Sequence, residues 1–272
     1  MSDTAFICET CGVQHRPSTD PPAACAICQD ERQYVGWDGQ RWMTLERMRA
    51  DGYRNLVRDD FGLTGIGTEP SFGIGQRALL VPTGDGNVLW DCISLLDDET
   101  VRSIEELGGI SAIAFSHPHF YGSMVEWSQA FGHVPIYVPE ADREWVMRDD
   151  PAIRVWSERV EIGPGLTLVQ TGGHFEGSAV LHWEAGADGR GALLVGDTTT
   201  VAQDRRHVSF MRSYPNLIPL PQSSVSWIVE ALRTYEFERV YGGWWGRVVA
   251  EDGKGALERS AERYVRYLRG RP

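Results

Sequence analysis

In the segment IAFSHPHFYGS, residues 113–123, an apolar run ends in two histidines. His117 and His119 stand one residue apart at the predicted end of a strand. Two imidazoles in such a loop can bind one metal ion. An isolated HxH also arises by chance or from core packing, so its meaning depends on the rest of the chain.

Two later segments supply further metal ligands. GGHFEGSAVLHW, residues 172–183, places His174 in a glycine-rich loop, and LLVGDTTT, residues 193–200, places Asp197 directly after an apolar strand. Three neutral imidazoles and a carboxylate suit Zn²⁺ and leave room for water or a substrate oxygen. Alternatively, His117, His174 and Asp197 alone would form the two-histidine, one-carboxylate face that suits Fe²⁺ and O₂.

Strands and helices alternate around these segments, and strands dominate the middle of the chain. A hairpin is expected where RALLVP and VLWDCISLL flank the turn at 84–87. Further strands are expected at 110–116, 134–138, 166–170, 178–185, 192–197 and 238–243, and helices at 97–108, 122–131, 140–148, 223–235 and 255–269.

The first 35 residues differ from the rest and predict a separate module, followed by one larger domain at 36–272. Its cysteines, which form two CxxC pairs, are Cys8, Cys11, Cys25 and Cys28. This spacing predicts a zinc-ribbon-like four-cysteine site with a structural Zn²⁺; iron, or four free or redox-active thiols, are the alternatives. A closed site of four thiolates cannot hydrolyse a substrate, so the module is expected to pack on the larger domain or to recruit a protein partner.

Composition excludes several classes of protein. The chain has 272 residues, 42% of them hydrophobic, and a net charge of −12, which disfavours nucleic acid as a partner. No apolar run approaches the roughly 20 residues of a membrane span, and the N-terminus lacks the pattern of a signal peptide. We therefore expect a cytoplasmic protein without a membrane partner.

The order of these motifs resembles that of the metallo-β-lactamase superfamily. The family landmarks are an early Asp, HxHxDH, a later His, an Asp after a strand, and a final His. Between about residues 75 and 250 the matches are Asp91, His117, His119, His174 and Asp197. The resemblance implies an α+β fold, a four-layer αβ/βα sandwich with the metal at the strand ends. It also implies that Asp91 orients the metal-binding loop through hydrogen bonds.

The chain departs from the family pattern at the second metal site. Tyr121 and Gly122 stand where HxHxDH has its Asp and its last His, and VYGGWWGRVV, residues 240–249, has Gly243, Trp244 or Trp245 where the family's final His is expected. The resemblance therefore implies one metal at this centre, or none. The two tryptophans are expected to fill the vacated space.

The resulting expectation is a metal-dependent hydrolase with a mononuclear zinc centre that acts on an ester, thioester or lactone. Asp197 would ligate the metal or accept a proton from water, and Tyr121 would hydrogen-bond an oxyanion. Arg212 and Tyr214 lie in a long irregular stretch, 202–221, and would bind the small-molecule substrate. That stretch could instead form a lid or a homo-oligomer contact. The competing functions are a non-catalytic metal-binding interaction protein and an Fe²⁺ enzyme similar to sulfur dioxygenases.

Overall fold

The computed structural model describes residues 3–270, and its N-terminal part consists of short elements. Strand β1 (Ile7–Cys8) pairs antiparallel with β2 (Trp42–Met43), which lies beyond the cysteine segment. Helices α1 (Ala26–Gln29) and α2 (Leu45–Ala50) flank this pair. The polypeptide thus returns to the cysteine segment after residue 35.

The first large sheet has seven strands in sequence order. Its first four strands are antiparallel neighbours, and the remaining three run parallel to the fourth. The strands are β3 (Arg54–Asp60), β4 (Leu63–Glu69), β5 (Arg77–Thr83), β6 (Gly86–Trp90), β7 (Ala112–Ala114), β8 (Ile136–Pro139) and β9 (Ile153–Trp156). Helices α3 (Asp98–Glu106) and α4 (Met124–Ala130) cover its outer face.

The second large sheet has six strands, ordered β10-β11-β12-β13-β18-β19. They are β10 (Arg159–Gly163), β11 (Leu166–Gln170), β12 (Ala179–Trp183), β13 (Ala192–Leu194), β18 (Arg239–Tyr241) and β19 (Val248–Val249). The stretch between β13 and β18 holds two short hairpins, β14 (Thr200–Val201) with β15 (Val208–Ser209) and β16 (Met211–Ser213) with β17 (Ile218–Pro219). The remaining helices are α5 (Gly186–Gly189), α6 (Gln222–Leu232) and α7 (Gly253–Leu268).

Side-chain alternation builds four layers from these elements. On β5, Leu79 and Val81 face the second sheet, whereas Ala78 and Leu80 face α3 and α4. On β13, Leu194 faces the first sheet and Leu193 packs toward α6 and α7. Because successive residues of a strand point to opposite faces, apolar strands of this kind can be covered on both sides. The expected α+β four-layer sandwich is confirmed.

The structure also differs locally from the sequence-based expectations. Residues 140–145 form a 3₁₀ helix where an α-helix was expected, and it begins directly after Pro139 at the end of β8. The hairpin of β3 and β4, which forms the edge of the first sheet, was not anticipated. Among residues 3–270, no helix is sufficiently long and apolar to cross a membrane.

Candidate metal centre and adjoining cavity

Four side chains converge at one end of the sandwich. One ligand atom from each of His117, His119, His174 and Asp197 lies within 4.8 Å of all the others. His174 Nε2 is 3.3 Å from His119 Nδ1, and His117 Nε2 is 3.6 Å from Asp197 Oδ2. Ligands bound tetrahedrally at ~2.0–2.1 Å from Zn²⁺ lie about 3.4 Å apart. The four side chains therefore fit a single metal ion.

Each ligand follows a strand of the central sheets. His117 and His119 lie in the turn that follows β7, and the 3₁₀ turn at Pro118–Phe120 brings both rings to the same side. His174 lies in the loop between β11 and β12, and Asp197 follows β13. Since β7 and β13 are apolar and buried on both faces, polar side chains can be accommodated only beyond their ends.

Hydrogen bonds hold two of the imidazoles by their far nitrogens. His117 Nδ1 lies 2.9 Å from Ser116 Oγ, which donates to Asp91 Oδ1 at 2.8 Å. The Ser116 amide donates to the same Asp91 oxygen at 2.7 Å. His174 Nδ1 lies 3.0 Å from the carbonyl oxygen of Met211. In both rings Nε2 is left to face the cluster, which is how outer hydrogen bonds orient metal ligands.

The electrostatic environment favours neutral imidazoles. Burial lowers the pKa of His117 and His119 well below the usual value, and that of His174 to about 4. A neutral imidazole keeps the lone pair that a metal needs. His117 Nε2 is buried and has no hydrogen-bond partner among residues 3–270, as expected for an atom that binds a metal ion. Burial also raises the pKa of Asp197 to about 7, although a hydrogen bond from Thr200 opposes this shift.

The four paired cysteines form a second group that can hold a metal ion. All four sulfur atoms are buried and lie within 4.8 Å of one another. Cys8 Sγ is 3.5 Å from Cys28 Sγ, and Cys11 Sγ is 3.7 Å from Cys25 Sγ. At a Zn–S distance of ~2.3 Å, tetrahedral sulfurs would lie about 3.8 Å apart. The cluster thus has dimensions suitable for a metal site with four cysteine ligands.

Arg32 connects the cysteine segment to the histidine cluster. Its guanidinium lies 3.8 Å from the centroid of the Phe175 ring and forms an ion pair with Glu176 at 3.1 Å. The Phe175 ring in turn packs edge-on against His119, with 5.0 Å between ring centroids. Only 4% of the Arg32 side chain is exposed. Nothing in the sequence signalled this contact, since Arg32 is separated from His174 by 142 positions.

Gly122, and Gly243 as one of the three candidates for the position of the family's final His, have no room for a side chain. Gly122 has φ +50°, and a Cβ there would lie 2.6 Å from the Ile93 carbonyl oxygen. A Cβ at Gly243 would lie 2.7 Å from the Phe120 ring. An imidazole at either position would therefore require the surrounding structure to shift.

Of the other predicted site residues, only Tyr214 lies against the cluster. Its hydroxyl donates to the Asp197 carbonyl oxygen at 2.9 Å. Arg212 pairs with Glu31 at 2.5 Å, on the side of the cysteine segment. Tyr121 is buried against Phe115, and its hydroxyl has no hydrogen-bond partner within the described part of the chain. The catalytic role of Tyr121 and the substrate-binding role of Arg212 stay predictions.

An open cavity of about 640 Å³ lies next to residues that contact the cluster, although none of the four candidate ligands lines it. Three of its lining residues connect the cavity to the cluster. Tyr214 and Thr200 hydrogen-bond to Asp197, and Thr200 donates to Asp197 Oδ1 at 3.0 Å. Trp244 packs on Phe120, whose ring lies beside His117. The lining is completed by Gly75, Val201, Ala202, Gln203, Ser209, Trp245 and Arg247. The sequence pointed to the two tryptophans as space-filling groups, but nothing in it indicated Arg247.

The hydrogen bonds that join Asp91, Ser116 and His117 leave no space for a side chain at Gly196. A Cβ at Gly196 would lie 2.2 Å from Ser116 Oγ and 2.8 Å from His117 Nδ1. We expect Gly196→Ala to lower metal affinity at the histidine cluster by about 10-fold or more, the size of effect that outer-shell changes typically have. Titration with Co²⁺, monitored by its visible absorption, measures that affinity.

Gly84→Ala is the matched control, because a Cβ there meets nothing within 4 Å. It is expected to bind Co²⁺ as the parent protein does. Equal affinities for the parent protein and Gly196→Ala would show that the Ser116 contact does not orient His117.

A two-sheet αβ/βα sandwich with histidines and a carboxylate at its strand ends is the architecture of the metal-dependent hydrolases of the metallo-β-lactamase class. The sequence model described as the Metallo-beta-lactamase superfamily matches residues 73–244. The chain belongs to this superfamily.

Relatives are found at two levels of similarity. The chain is 51% identical over 266 residues to the uncharacterized protein YmaE of Bacillus subtilis (strain 168), covering 97% of this chain and 96% of that one. Its fold is similar to that of VMB-1, with a TM-score of 0.58, 16% identity, and coverage of 79% of this chain and 98% of the other. It is also similar to the metallo-β-lactamase SMB-1 in complex with mercaptoacetic acid, with a TM-score of 0.52, 16% identity, and coverage of 80% and 95%. At such identities the structural likeness concerns the fold.

Proposed function

We propose that the protein is a hydrolase with one Zn²⁺ at the histidine cluster and a structural Zn²⁺ at the cysteine cluster. Its small-molecule substrate is an ester, thioester or lactone. One observation carries the proposal: the ligand atoms of His117, His119, His174 and Asp197 converge on one point, and the two residues that hydrogen-bond to Asp197, Thr200 and Tyr214, line an open cavity of about 640 Å³. The protein would act in the cytoplasm. The cysteine segment would contact a protein partner or a second copy of the chain.

The side chains at this site would have different roles. The histidines would hold the metal through neutral nitrogens, and Thr200 fixes Asp197 Oδ1 so that Oδ2 faces His117 Nε2. A zinc ion bound there would supply Lewis acidity toward water and a carbonyl oxygen. Asp197 Oδ2 would ligate the metal or accept a proton from water. A single metal lacks the two-ion clamp that favours phosphodiesters, and this supports an acyl substrate.

A second candidate is a non-catalytic binding protein, favoured by how closely the cluster is enclosed. His117 and His174 are each 1% exposed, and Asp197 is 5% exposed. In such a protein both metals would have only structural roles. Iron chemistry with two histidines and one carboxylate has less support, because His119 Nδ1 lies 3.3 Å from His174 Nε2 and therefore belongs to the ligand set.

Metal content measured by elemental mass spectrometry tests the proposal. We expect two zinc ions per chain in the parent protein, with one lost in His117→Ala/His119→Ala and the other lost in Cys8→Ser/Cys11→Ser. A single zinc that depends only on the cysteines would contradict the mononuclear centre and support the binding protein. Iron at the histidine-dependent site would redirect the search toward O₂ chemistry.

Activity is then measured on a panel of aryl esters, thioesters and lactones. For any substrate that is hydrolysed, Asp197→Ala is expected to reduce kcat/KM by about 100-fold or more, the range usual for loss of a proton-transferring or metal-binding group. Folding of the variant is checked by circular dichroism. Full activity in a folded Asp197→Ala variant would remove Asp197 from the mechanism, and a parent protein inactive on the whole panel would favour the binding protein.

A further inference from the structure

The cavity beside Asp197 shares part of its wall with a second cavity. This second cavity, of about 490 Å³, is lined by Trp245, by residues of β3 and by the end of β4. Both cavities are lined by Trp245 and Gly75. The indole rests directly on β4, since a Cβ at Gly65 or Gly67 would lie 2.6 Å from it. The two cavities therefore adjoin each other at Trp245 and Gly75.

Arginine residues line both cavities in an otherwise acidic protein. Arg247 is the one charged residue in the lining of the cavity beside Asp197. No carboxylate among residues 3–270 forms an ion pair with its guanidinium, whereas the chain as a whole carries a net charge of −12. In the second cavity Arg58 lies over Trp245 at 4.3 Å from the ring centroid, and Arg54 is paired with Glu69 at 3.1 Å. An anionic group would find an unpaired cation at Arg247.

The remaining walls are suited to a flat apolar group. Tyr214, Trp244 and Trp245 present aromatic surface to the cavity, with Val201 and Ala202 beside them. The Trp244 indole is held in place because its Nε1 donates to the Ile74 carbonyl oxygen at 3.0 Å. Fixed aromatic walls with a few convergent polar groups are typical of small-molecule sites.

We propose that this cavity binds an organic anion, with its carboxylate or phosphate at Arg247 and an aromatic or apolar body against Trp244 and Trp245. The inference deepens the proposed function and rests on it, since it makes the hydrolysed substrate an acyl compound that carries a separate negative charge. Arg247 is then a specificity-determining residue that contacts the substrate away from the reacting carbonyl. Anion binding at this position does not itself require hydrolysis.

Calorimetric titration with two probes of nearly equal shape tests the anion site. 2-Naphthylacetate and 2-naphthylacetamide share the ring and differ in charge. We expect the anion to bind the zinc-loaded parent protein at least about 10-fold more tightly than the amide, and Arg247→Gln to abolish that preference. Arg102→Gln removes the same charge from an exposed position on α3 and should retain the preference.

The outcomes separate the anion site from the hydrolase. Equal affinity for the two probes, a preference that survives in Arg247→Gln, or no binding of either probe would overturn the anion site. 2-Naphthyl phosphate in the same titration shows whether carboxylate or phosphate is preferred, and a preference for either that depends on Arg247 supports it. Charge-selective binding without hydrolysis of any ester would contradict the proposed function alone. Hydrolysis that is indifferent to substrate charge in the parent protein would contradict the anion site alone.

Discussion

Replacement of Cys8 and Cys11 by serine is expected to destabilise the protein by at least about 4 kcal/mol, because loss of a structural metal is among the most costly changes. The four sulfurs are buried, and the segment that carries them contributes few apolar side chains of its own. We also expect weaker metal binding at the histidine cluster. Denaturant unfolding and Co²⁺ titration measure the two effects.

Cys92→Ser is the control for the loss of a buried thiol, since Cys92 is buried and lies outside the cysteine cluster. Its cost is expected to stay below that of the double variant, and its Co²⁺ affinity to stay at the parent value. Arg32→Met isolates the coupling between the two sites, because it removes the cation over Phe175 while leaving all four cysteines in place. If Cys8→Ser/Cys11→Ser is no less stable than Cys92→Ser, the cysteines hold no structural metal.

Arg77→Met is expected to cost about 3–5 kcal/mol, because it leaves a buried carboxylate without its partner. Arg77 and Asp60 are 1% and 6% exposed, and Arg77 Nε donates to Asp60 Oδ2 at 2.7 Å. Asp60 Oδ1 also accepts from the Gly246 amide at 3.1 Å, which ties this pair to the loop that carries Trp244 and Trp245. Urea unfolding monitored by tryptophan fluorescence measures the change in the free energy of unfolding.

A second substitution distinguishes the unpaired charge from simple loss of packing. Arg77→Met/Asp60→Asn has no unpaired charge and keeps an oxygen for the Gly246 amide, so it should recover part of the lost stability. Arg54→Met, which breaks the exposed pair with Glu69, is expected to cost less than about 1 kcal/mol. A double variant less stable than Arg77→Met would show that the cost lies in packing.

The sequence was sufficient for the sandwich and for the four residues that converge on one point. Apolar strands such as 192–195 were recognisable because they are buried on both faces, and each candidate ligand was a polar residue beyond the end of a predicted strand. The relative order of His117, His174 and Asp197 then carried the family resemblance. Gly122 was recognised as a departure, as was the stretch with Gly243, Trp244 or Trp245 at the final ligand, and the structure adds a steric reason at the two glycines.

Features that depend on distant contacts could not be predicted in the same way. The pairing of Arg77 with Asp60 and the position of Arg32 over Phe175 depend on how separate segments pack, and neither has a local signature. Strands β3 and β4 were missed because exposed charged residues and glycines interrupt their apolar pattern. The cavity at Arg247 is likewise formed by loops that are far apart in the sequence.

The contacts of Arg32 have a consequence for the order of events during synthesis. The cysteine ligands are complete once residue 28 has been made, whereas Arg32 pairs with Glu176, and the Glu31 carbonyl accepts from Asn216, 185 positions later. Since a ribosome adds roughly 5–20 residues per second, about ten seconds or more can separate the two events. The loops that close around the histidines therefore emerge late and pack against an N-terminal segment that was synthesised well before them.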